Sequence, residues 1–462
     1  MRLDDRPDDR FDAPGLSADP VLPAAARRIA LISDHASPLA APGSIDCGGQ
    51  NVYVAQLARE LALGGHLVDV FTRRDAIGQK QLVRWHERVR VVNVPAGPAH
   101  HVPKEQMLPY IEAFARFVTR FARHQPAPYD IAHANFFMSG MIAQHLKQAL
   151  GTPYVITFHA LGKVRRLAQG AADAFPPARV RIEDMLMQQA DRIIAECSQD
   201  RQDMERLYGA SPDRIAVAPC GFDPDELWPM DKVAARSLLG LERSRFTVLQ
   251  LGRIVPRKGV DTVIEAIALL RGEHGIDAQL LVVGGDLGGG MGGNLGGNLA
   301  ENPHGSGRDG PELARLSALA GQLGIAGHVH FLGQQARADL RHYYGAADVF
   351  VTTPWYEPFG ITPVEAMACA RPVIGSEVGG IKSTVVDGCT GFLVPSRDPQ
   401  AVADRLATLQ RNPGLARAMG EAGLRRAGLH YTWRIVARQV AAVYAAVLAE
   451  ARAPLPIDLT HL

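Results

Sequence analysis

Two successive series of short apolar strands and helices run along this chain of 462 residues. The first starts at 28–33, an apolar run that ends in a polar residue as a buried parallel strand does, and the second starts at Phe246–Leu251. Between them, 219–229 contains three prolines and a glycine, which is typical of an interdomain link. Alternating strands and helices form parallel sheets covered by helices. The pattern predicts an α/β fold of two Rossmann-like domains that face a central cleft.

The same alternation predicts the individual elements and the domain limits. The strands are expected at 28–33, 66–72, 89–94, 131–134, 154–157, 246–251, 279–283, 349–352 and 372–375, and the helices at 52–63, 110–123, 259–271 and 432–453. Residues 1–26 lack periodicity and are expected to form a disordered tail. The first domain then spans 27–222 and the second 223–430.

A glycine-rich stretch at 284–310 interrupts the second series. The dinucleotide fingerprint can be found within it, but its low complexity predicts a flexible insertion and not a phosphate loop. An NAD-dependent oxidoreductase would need such a fingerprint early in the chain, followed by an acidic residue about 20 positions later, and none is convincing.

Charge and cysteine content exclude several classes of protein. The 49 Lys and Arg residues nearly cancel the 48 Asp and Glu residues, which disfavours a nucleic-acid binder. Five dispersed cysteines fit a reducing compartment better than a disulfide framework or a zinc site. No apolar run reaches the ~18 residues of a membrane span, and the first residues do not resemble a signal peptide. We expect a cytoplasmic protein, for which peripheral membrane contact stays open.

The densest chemical signal is the segment 355–365, in which seven residues separate Glu357 from Glu365. A Pro-Phe-Gly turn precedes a helix that is expected to begin near Pro363, and such a helix start offers free N–H groups to anions and hydroxyls. Carboxylates on either side can accept hydrogen bonds from the vicinal hydroxyls of a sugar or ribose. The alternative is a solvated helix start whose acids face its dipole.

Two further segments supply the partners that such a site needs. Arg253 and Lys258 lie at a predicted strand end and at the next helix start, where a planar fork and a point charge suit a diphosphate. In the first domain, Gly49, Gln50 and Asn51 lie at a strand-to-helix turn that permits close backbone approach to a phosphate. Either segment alone could be an ordinary loop.

Together, the Glu357–Glu365 spacing, the G-R-x-x-P-x-K-G segment at 252–259 and the G-G-Q-N-V-Y-V segment at 48–54 resemble family-4 type glycosyltransferases. These are retaining enzymes of the two-Rossmann (GT-B) architecture, and the resemblance covers 27–450. The segments at 48–51, 159–163 and 181–183 are most similar to the branch of sucrose-phosphate synthase, sucrose synthase and D-inositol-3-phosphate N-acetylglucosaminyltransferase. The resemblance also implies that a helix at 431–453 crosses back to the first domain.

The resemblance implies roles on the donor side of the cleft. Arg253 and Lys258 would bind the donor diphosphate and stabilise its charge, Glu365 would hold the ribose, and Glu357 would hold sugar hydroxyls. His159 matches the active-site histidine beside the donor sugar. The remaining donor-binding residues would be Gly49, Phe359, Gly360, Ile361 and Thr362. The catalytic set is therefore expected to be His159, Arg253, Lys258 and Glu357.

On the acceptor side, the matched positions are His35, Gln50, Asn51, Lys104 and Arg181, with Lys163, Arg165 and Arg166 as further positive charge. Two departures disfavour an inositol-phosphate acceptor, because Phe136 replaces a phosphate-binding tyrosine and Ala160 replaces a threonine. Each change deletes a hydroxyl donor worth on the order of 1–3 kcal/mol to a charged partner.

The expected function is therefore a retaining transfer of a hexose from a UDP-, GDP- or ADP-sugar to a hydroxyl acceptor, with a sugar phosphate among the candidates. No metal or other cofactor is expected, because no metal-binding Asp-x-Asp follows a strand in the usual place. The two alternatives are an NAD-dependent oxidoreductase and a non-catalytic sugar-binding subunit. The oligomeric state stays open.

Overall fold

The computed structural model describes residues 26–40, 48–170, 173–285 and 310–452. Residues 1–25 of the tail predicted at 1–26, and the central part of the glycine-rich stretch, 286–309, lie outside them. Within the described residues the chain forms two sheets, of eight and six strands, each covered by helices. We call the part with the first sheet lobe 1 and the part with the second sheet lobe 2. The predicted α/β fold is confirmed.

Lobe 1 contains the strands β1 (Arg28–Ile32), β2 (Leu67–Arg73), β3 (Leu82–His86), β4 (Val89–Val94), β5 (Ile131–Asn135), β6 (Tyr154–Thr157), β7 (Arg192–Ala195) and β8 (Ile215–Val217). Its helices are α1 (Gly49–Leu63), α2 (Ile111–Arg123), α3 (Phe137–Leu150), α4 (Gly162–Gln169), α5 (Ala178–Gln189) and α6 (Ser198–Tyr208). The strand order is β3-β4-β2-β1-β5-β6-β7-β8. The unpredicted β3 runs antiparallel to β4, because the short turn between them cannot hold a crossover helix.

Lobe 2 contains the strands β9 (Phe246–Leu251), β10 (Ala278–Val283), β11 (Val329–Phe331), β12 (Val349–Thr352), β13 (Val373–Ser376) and β14 (Gly391–Val394). Its helices are α7 (Lys232–Leu238), α8 (Val260–Gly272), α9 (Pro311–Gln322), α10 (Leu340–Ala346), α11 (Ile361–Ala368), α12 (Ile381–Thr384), α13 (Pro399–Arg411) and α14 (Pro413–His430). The parallel strands follow the order β11-β10-β9-β12-β13-β14. Both sheets therefore direct their carboxyl ends toward loops that can carry a ligand site.

The last helix, α15 (Trp433–Arg452), packs against α1 and β7 of lobe 1. The hydroxyl of Tyr444 lies 2.7 Å from Nδ1 of His133, and the rings of Trp433 and Tyr53 meet edge to face at 5.7 Å. The predicted return of the C-terminal helix to the first domain is confirmed. The division at 222/223 and 430/431 stays a prediction.

The two chain segments that join the lobes are bonded to each other. The amide of Phe222 donates to Tyr431 O at 2.8 Å, and the amide of Trp433 donates to Phe222 O at 3.1 Å. A Cβ at Gly221 would lie 2.7 Å from Tyr431 O, so only glycine allows this approach. The predicted link at 219–229 is therefore half of a paired connection that holds the two lobes in register.

We expect Trp433→Ala to lower the free energy of unfolding by about 3–5 kcal/mol, because Trp433 is a fully buried side chain at the junction of the lobes. Leu429→Ala, at an exposed site on the preceding helix, is the matched control and should change it little. Urea denaturation of both variants measures the difference. Equal effects would show that the junction does not depend on the packing of Trp433.

Candidate active site

The loop between β9 and α8 brings two cations to the carboxyl end of the lobe 2 sheet. Arg253 and Lys258 line a recess there together with Thr352 at the end of β12. The chain enters α8 through Gly259, whose φ is +65° and whose added Cβ would lie 2.0 Å from Thr353 O. A larger residue would clash there, so this glycine fixes where the lysine lies.

Lys258 forms an ion pair with Glu357 across 99 positions of the chain, and Arg257 lies 3.9 Å from the same carboxylate. The backbone joins the two loops as well, since Trp355 N donates to Arg257 O at 2.9 Å. Burial, together with the charges of Arg257 and Arg253, lowers the pKa of Lys258 although Glu357 acts to raise it. Burial raises the pKa of Glu357, but Lys258, Arg257 and Arg253 outweigh it and leave that pKa below its usual range. The carboxylate is thus held ionised and is a weak base.

The turn after Glu357 leads into α11, which begins at Ile361, two residues before the predicted start near Pro363. Gly360 has a φ of +89°, a conformation that glycine adopts without strain. Phe359 is buried, and Thr362 lies in the first turn of the helix. The predicted helix start with free N–H groups therefore exists beside the ion pair.

Glu365 lies in α11 and is only 3 % exposed. Its Oε1 accepts a hydrogen bond from Arg337 at 3.1 Å and its Oε2 accepts one from Tyr344 at 2.9 Å. Arg337 also binds Glu226, which lies within the link at 219–229. Sequence reasoning missed both Arg337 and Tyr344, because neither lies in a recognisable motif. They fix the orientation of the carboxylate that is expected to hold the ribose.

Lobe 1 contacts this turn from across the cleft. A Cβ at Gly49 would lie 3.4 Å from Cδ1 of Ile361, so the start of α1 faces the start of α11. The thiol of Cys197 donates to Pro358 O at 3.4 Å. The two glycine-containing turns that were predicted separately thus face each other.

His159 follows β6, and both of its ring nitrogens are engaged. Nδ1 lies 2.9 Å from Glu196 Oε1, and Nε2 lies 3.0 Å from Asn135 Oδ1. Its φ of +57° is uncommon for a residue with a Cβ. Sequence reasoning missed Glu196, which reaches His159 because β6 and β7 are neighbours in the sheet.

The acceptor-side residues form two groups. His35 Nδ1 lies 3.0 Å from the buried Asp34, and its ring packs edge to face against Phe136. The side-chain amide of Gln50 donates to Asn135 O at 3.3 Å. Asn51 is engaged in its own helix start, where its Oδ1 accepts from Gly48 N at 3.0 Å.

The second acceptor group consists of cations. Lys104 lies in the short 3-10 helix Lys104–Gln106, and Arg181 is exposed on α5. Two positions before Arg181, Arg179 is buried, pairs with Glu183 at 2.6 Å and lies over the ring of Phe136 at 4.8 Å. Sequence reasoning did not single out Arg179.

The positive charge expected from the neighbouring cations is largely neutralised, which corrects the sequence analysis. Lys163 pairs with Asp184 at 2.6 Å, and Arg165 pairs with Asp173 at 3.0 Å. Arg166 is exposed on α4. The pairs of Lys163 and Arg165 therefore leave little of the charge of these two side chains for a phosphate.

Across 26–40, 48–170, 173–285 and 310–452, no helix is both long enough and apolar enough for a bilayer crossing. The same part of the chain contains no group of three or more His, Cys, Asp or Glu side chains placed to hold a metal ion.

Comparisons with known proteins agree with this architecture. The family described as "Glycosyl transferases group 1" matches residues 234–426, and that described as "Glycosyl transferase 4-like domain" matches 48–221. The D-inositol 3-phosphate glycosyltransferase 2 of Catenulispora acidiphila is 36% identical over 429 residues, 92% of this chain and 96% of that protein. A D-inositol 3-phosphate glycosyltransferase of Streptomyces avermitilis is 36% identical over 91% of this chain and 88% of its own.

Solved structures show the same fold. A sucrose-phosphate synthase from Thermosynechococcus elongatus superposes with a TM-score of 0.81 at 30% identity, over 92% of this chain and 100% of that one. Anabaena HepE in complex with UDP-glucose superposes with a TM-score of 0.68 at 20% identity, over 91% and 100%.

Two facing α/β lobes with this cleft define a GT-B glycosyltransferase. The chain belongs to the family-4 (group 1) glycosyltransferases, because both family matches and relatives of 36% identity span it. It is therefore an enzyme of that class, and not an NAD-dependent oxidoreductase or a non-catalytic sugar-binding subunit.

The pH dependence of stability tests the charges beneath the cleft. Asp200 lies beside Glu196, whose amide donates to it at 3.2 Å, and burial, followed by the charge of Glu196, raises the pKa of Asp200 from 3.8 to about 8. A carboxyl whose pKa is raised by folding stabilises the fold below 3.8, and this contribution is lost as pH rises toward 8. In Asp200→Asn the thermal midpoint should therefore fall less between these pH values than in the wild type. Asp213→Asn changes an exposed carboxyl and is the control, which should behave as the wild type. Equal pH profiles for all three proteins would refute the raised pKa of Asp200.

Proposed function

We propose that this enzyme transfers a hexose from a nucleotide-diphosphate sugar to a hydroxyl of a sugar phosphate, with retention of the anomeric configuration. The proposal depends on one observation. Lys258 and Glu357 form an ion pair beside the start of α11, and Gly49 of lobe 1 faces that helix start across the cleft. Cations, a fixed carboxylate and free N–H groups are what a diphosphate and a sugar require together.

The cationic recess of lobe 2 suits the diphosphate of the donor. Lys258 has three N–H donors, so it can keep Glu357 and still donate to a phosphate oxygen. Arg253 lines the same recess. The carboxylate of Glu365 is held by Arg337 and Tyr344 in an orientation suited to ribose hydroxyls. The structure of HepE with UDP-glucose, in a protein of the same fold, supports a nucleotide sugar as donor.

The low pKa of Glu357 supports retention without a protein base. In the proposed step the bond from the anomeric carbon to the diphosphate oxygen breaks, and the acceptor oxygen bonds to that carbon on the same face. The acceptor proton passes to the departing phosphate oxygen. The enzyme contributes position and positive charge, with Arg253 and Lys258 stabilising the charge on the leaving group.

A phosphorylated acceptor is supported by the names of the relatives, which are D-inositol 3-phosphate glycosyltransferase and sucrose-phosphate synthase. Lys104, His35 and Arg181 are the residues that we assign to the acceptor in lobe 1. Phe136 packs between His35 and Arg179 and has no hydroxyl to offer. Ala160 lacks a hydroxyl as well, which favours a hexose phosphate over an inositol phosphate.

The direct test is a transfer assay with UDP-, GDP- and ADP-glucose, each with hexose 6-phosphates, with inositol 3-phosphate and with the unphosphorylated sugars. We expect transfer to a hexose phosphate with one nucleotide, and NMR of the early product should show the anomeric configuration of the donor. An inverted product would contradict retention. Activity with unphosphorylated acceptors alone would contradict the acceptor class.

Lys258→Ala should lower turnover on the order of 100- to 1000-fold, the loss typical when one stabilising donor is removed from a transition state. Lys232→Ala removes a lysine of the same lobe that pairs with Asp348 on the surface, and it should retain turnover. Steady-state kinetics of the two variants, with thermal melts to verify folding, measure the difference. Near-normal turnover of Lys258→Ala would remove this lysine from the mechanism.

A further inference from the structure

The carboxylate of Glu196 is buried, with 4% of its side chain exposed, at the end of β7 beneath the cleft. A buried carboxylate is stable only if a positive charge or several hydrogen bonds compensate it. Its partners are His159 Nδ1 at 2.9 Å and the thiol of Cys220 at 3.1 Å, both on Oε1. Among the ion pairs of the described residues, Glu196 occurs only with His159.

The other titratable groups around His159 do not supply a charge. Burial, and then the charge of His159, lowers the pKa of His133 to about 3, so that ring is neutral between Tyr444 and Thr157. Burial raises the pKa of Tyr53, whose ring meets that of His159 at 4.8 Å, and it also raises that of the Cys220 thiol.

Two other acids near this pocket do not add an unpaired negative charge to that of Glu196. The raised pKa of Asp200, which accepts from Glu196 N, makes that acid mostly neutral at neutral pH. Glu357 in the opposite lobe is ionised but is paired with Lys258. His159 is therefore the group that must balance Glu196.

The contact of the second ring nitrogen, Nε2, also indicates that His159 is doubly protonated. The amide nitrogen of Asn135 donates to Ile32 O at 3.3 Å and to His133 O at 3.5 Å, which directs its Oδ1 at His159 Nε2. Both ring nitrogens thus face oxygens that accept hydrogen bonds. A neutral imidazole has one N–H, so it would satisfy one of these oxygens and leave the other facing a lone pair, whereas the doubly protonated ring satisfies both.

We propose that Glu196 is a positioning residue that keeps His159 doubly protonated, so that His159 contributes a fixed positive charge to the cleft and does not act as a base. The positive φ of His159 fits this role, because two hydrogen bonds hold the ring in a backbone conformation that a free histidine would rarely adopt. The value of that charge for a departing diphosphate rests on the proposed function. The protonation of the ring does not.

The test is nitrogen NMR of the full chain labelled with ¹⁵N-histidine, with the His159 signals identified by their loss in His159→Gln. At about pH 7.5 we expect both ring nitrogens of His159 to carry protons in the wild type and one to lose its proton in Glu196→Gln, since a neutral amide cannot balance the ring. Cys220→Ala removes the other donor to Glu196 but keeps its charge, so it should give the wild-type signals. A bare ring nitrogen in the wild type would overturn the proposal, even if Glu196→Gln failed to fold.

Kinetics give the functional readout. Glu196→Gln should lower kcat about tenfold or more with little change in the KM of the donor, and part of the loss should be recovered as pH is lowered and the ring regains its proton. A loss that is the same at every pH would indicate a merely structural role and contradict the proposal. If the wild type transfers no sugar at all, the proposed function fails, and the NMR result still decides the protonation of His159.

Discussion

The ion pair of Lys258 and Glu357 is the interaction on which the geometry of the cleft depends. It joins the loop after β9 to the loop after β12, two segments that lie far apart in the chain and side by side in the sheet. Both loops are further fixed by glycines that admit no side chain, Gly259 against Thr353 and Gly379 against the backbone of Glu357. The cation and the carboxylate are therefore placed by the fold itself, and their mutual attraction offsets much of the cost of burying them.

The second requirement is that lobe 1 meets this edge at a defined distance. The paired segments at Phe222 and Trp433, and the packing of α15 on lobe 1, restrict how the lobes can move. The start of α1 then faces the start of α11, and Cys197, which follows Glu196 in the chain, contacts the turn at Pro358. Small rotations about the paired segments would open or close the cleft without disturbing either sheet.

Much of this architecture could be predicted from the sequence, because its strands are continuous apolar runs and its helix starts carry glycine or proline. The limits of β6, β9 and β12 agree with the prediction to the residue. What sequence reasoning missed are contacts between neighbouring strands of unpredicted order. Glu196 reaches His159 only because β7 lies beside β6, and Arg337 reaches Glu365 from the short 3-10 helix Arg337–Asp339, which carries no motif. The surplus charge expected at Lys163 and Arg165 was overestimated, since their acidic partners lie elsewhere in the chain.

The central claim is that a single sugar nucleotide bridges the two lobes. A crystal structure with the nucleotide diphosphate that the enzyme prefers measures this most directly. The account predicts the diphosphate between the backbone N–H of Gly49 and the side chains of Arg253 and Lys258, with the ribose at Glu365. A diphosphate held by one lobe alone, away from these cations, would contradict it.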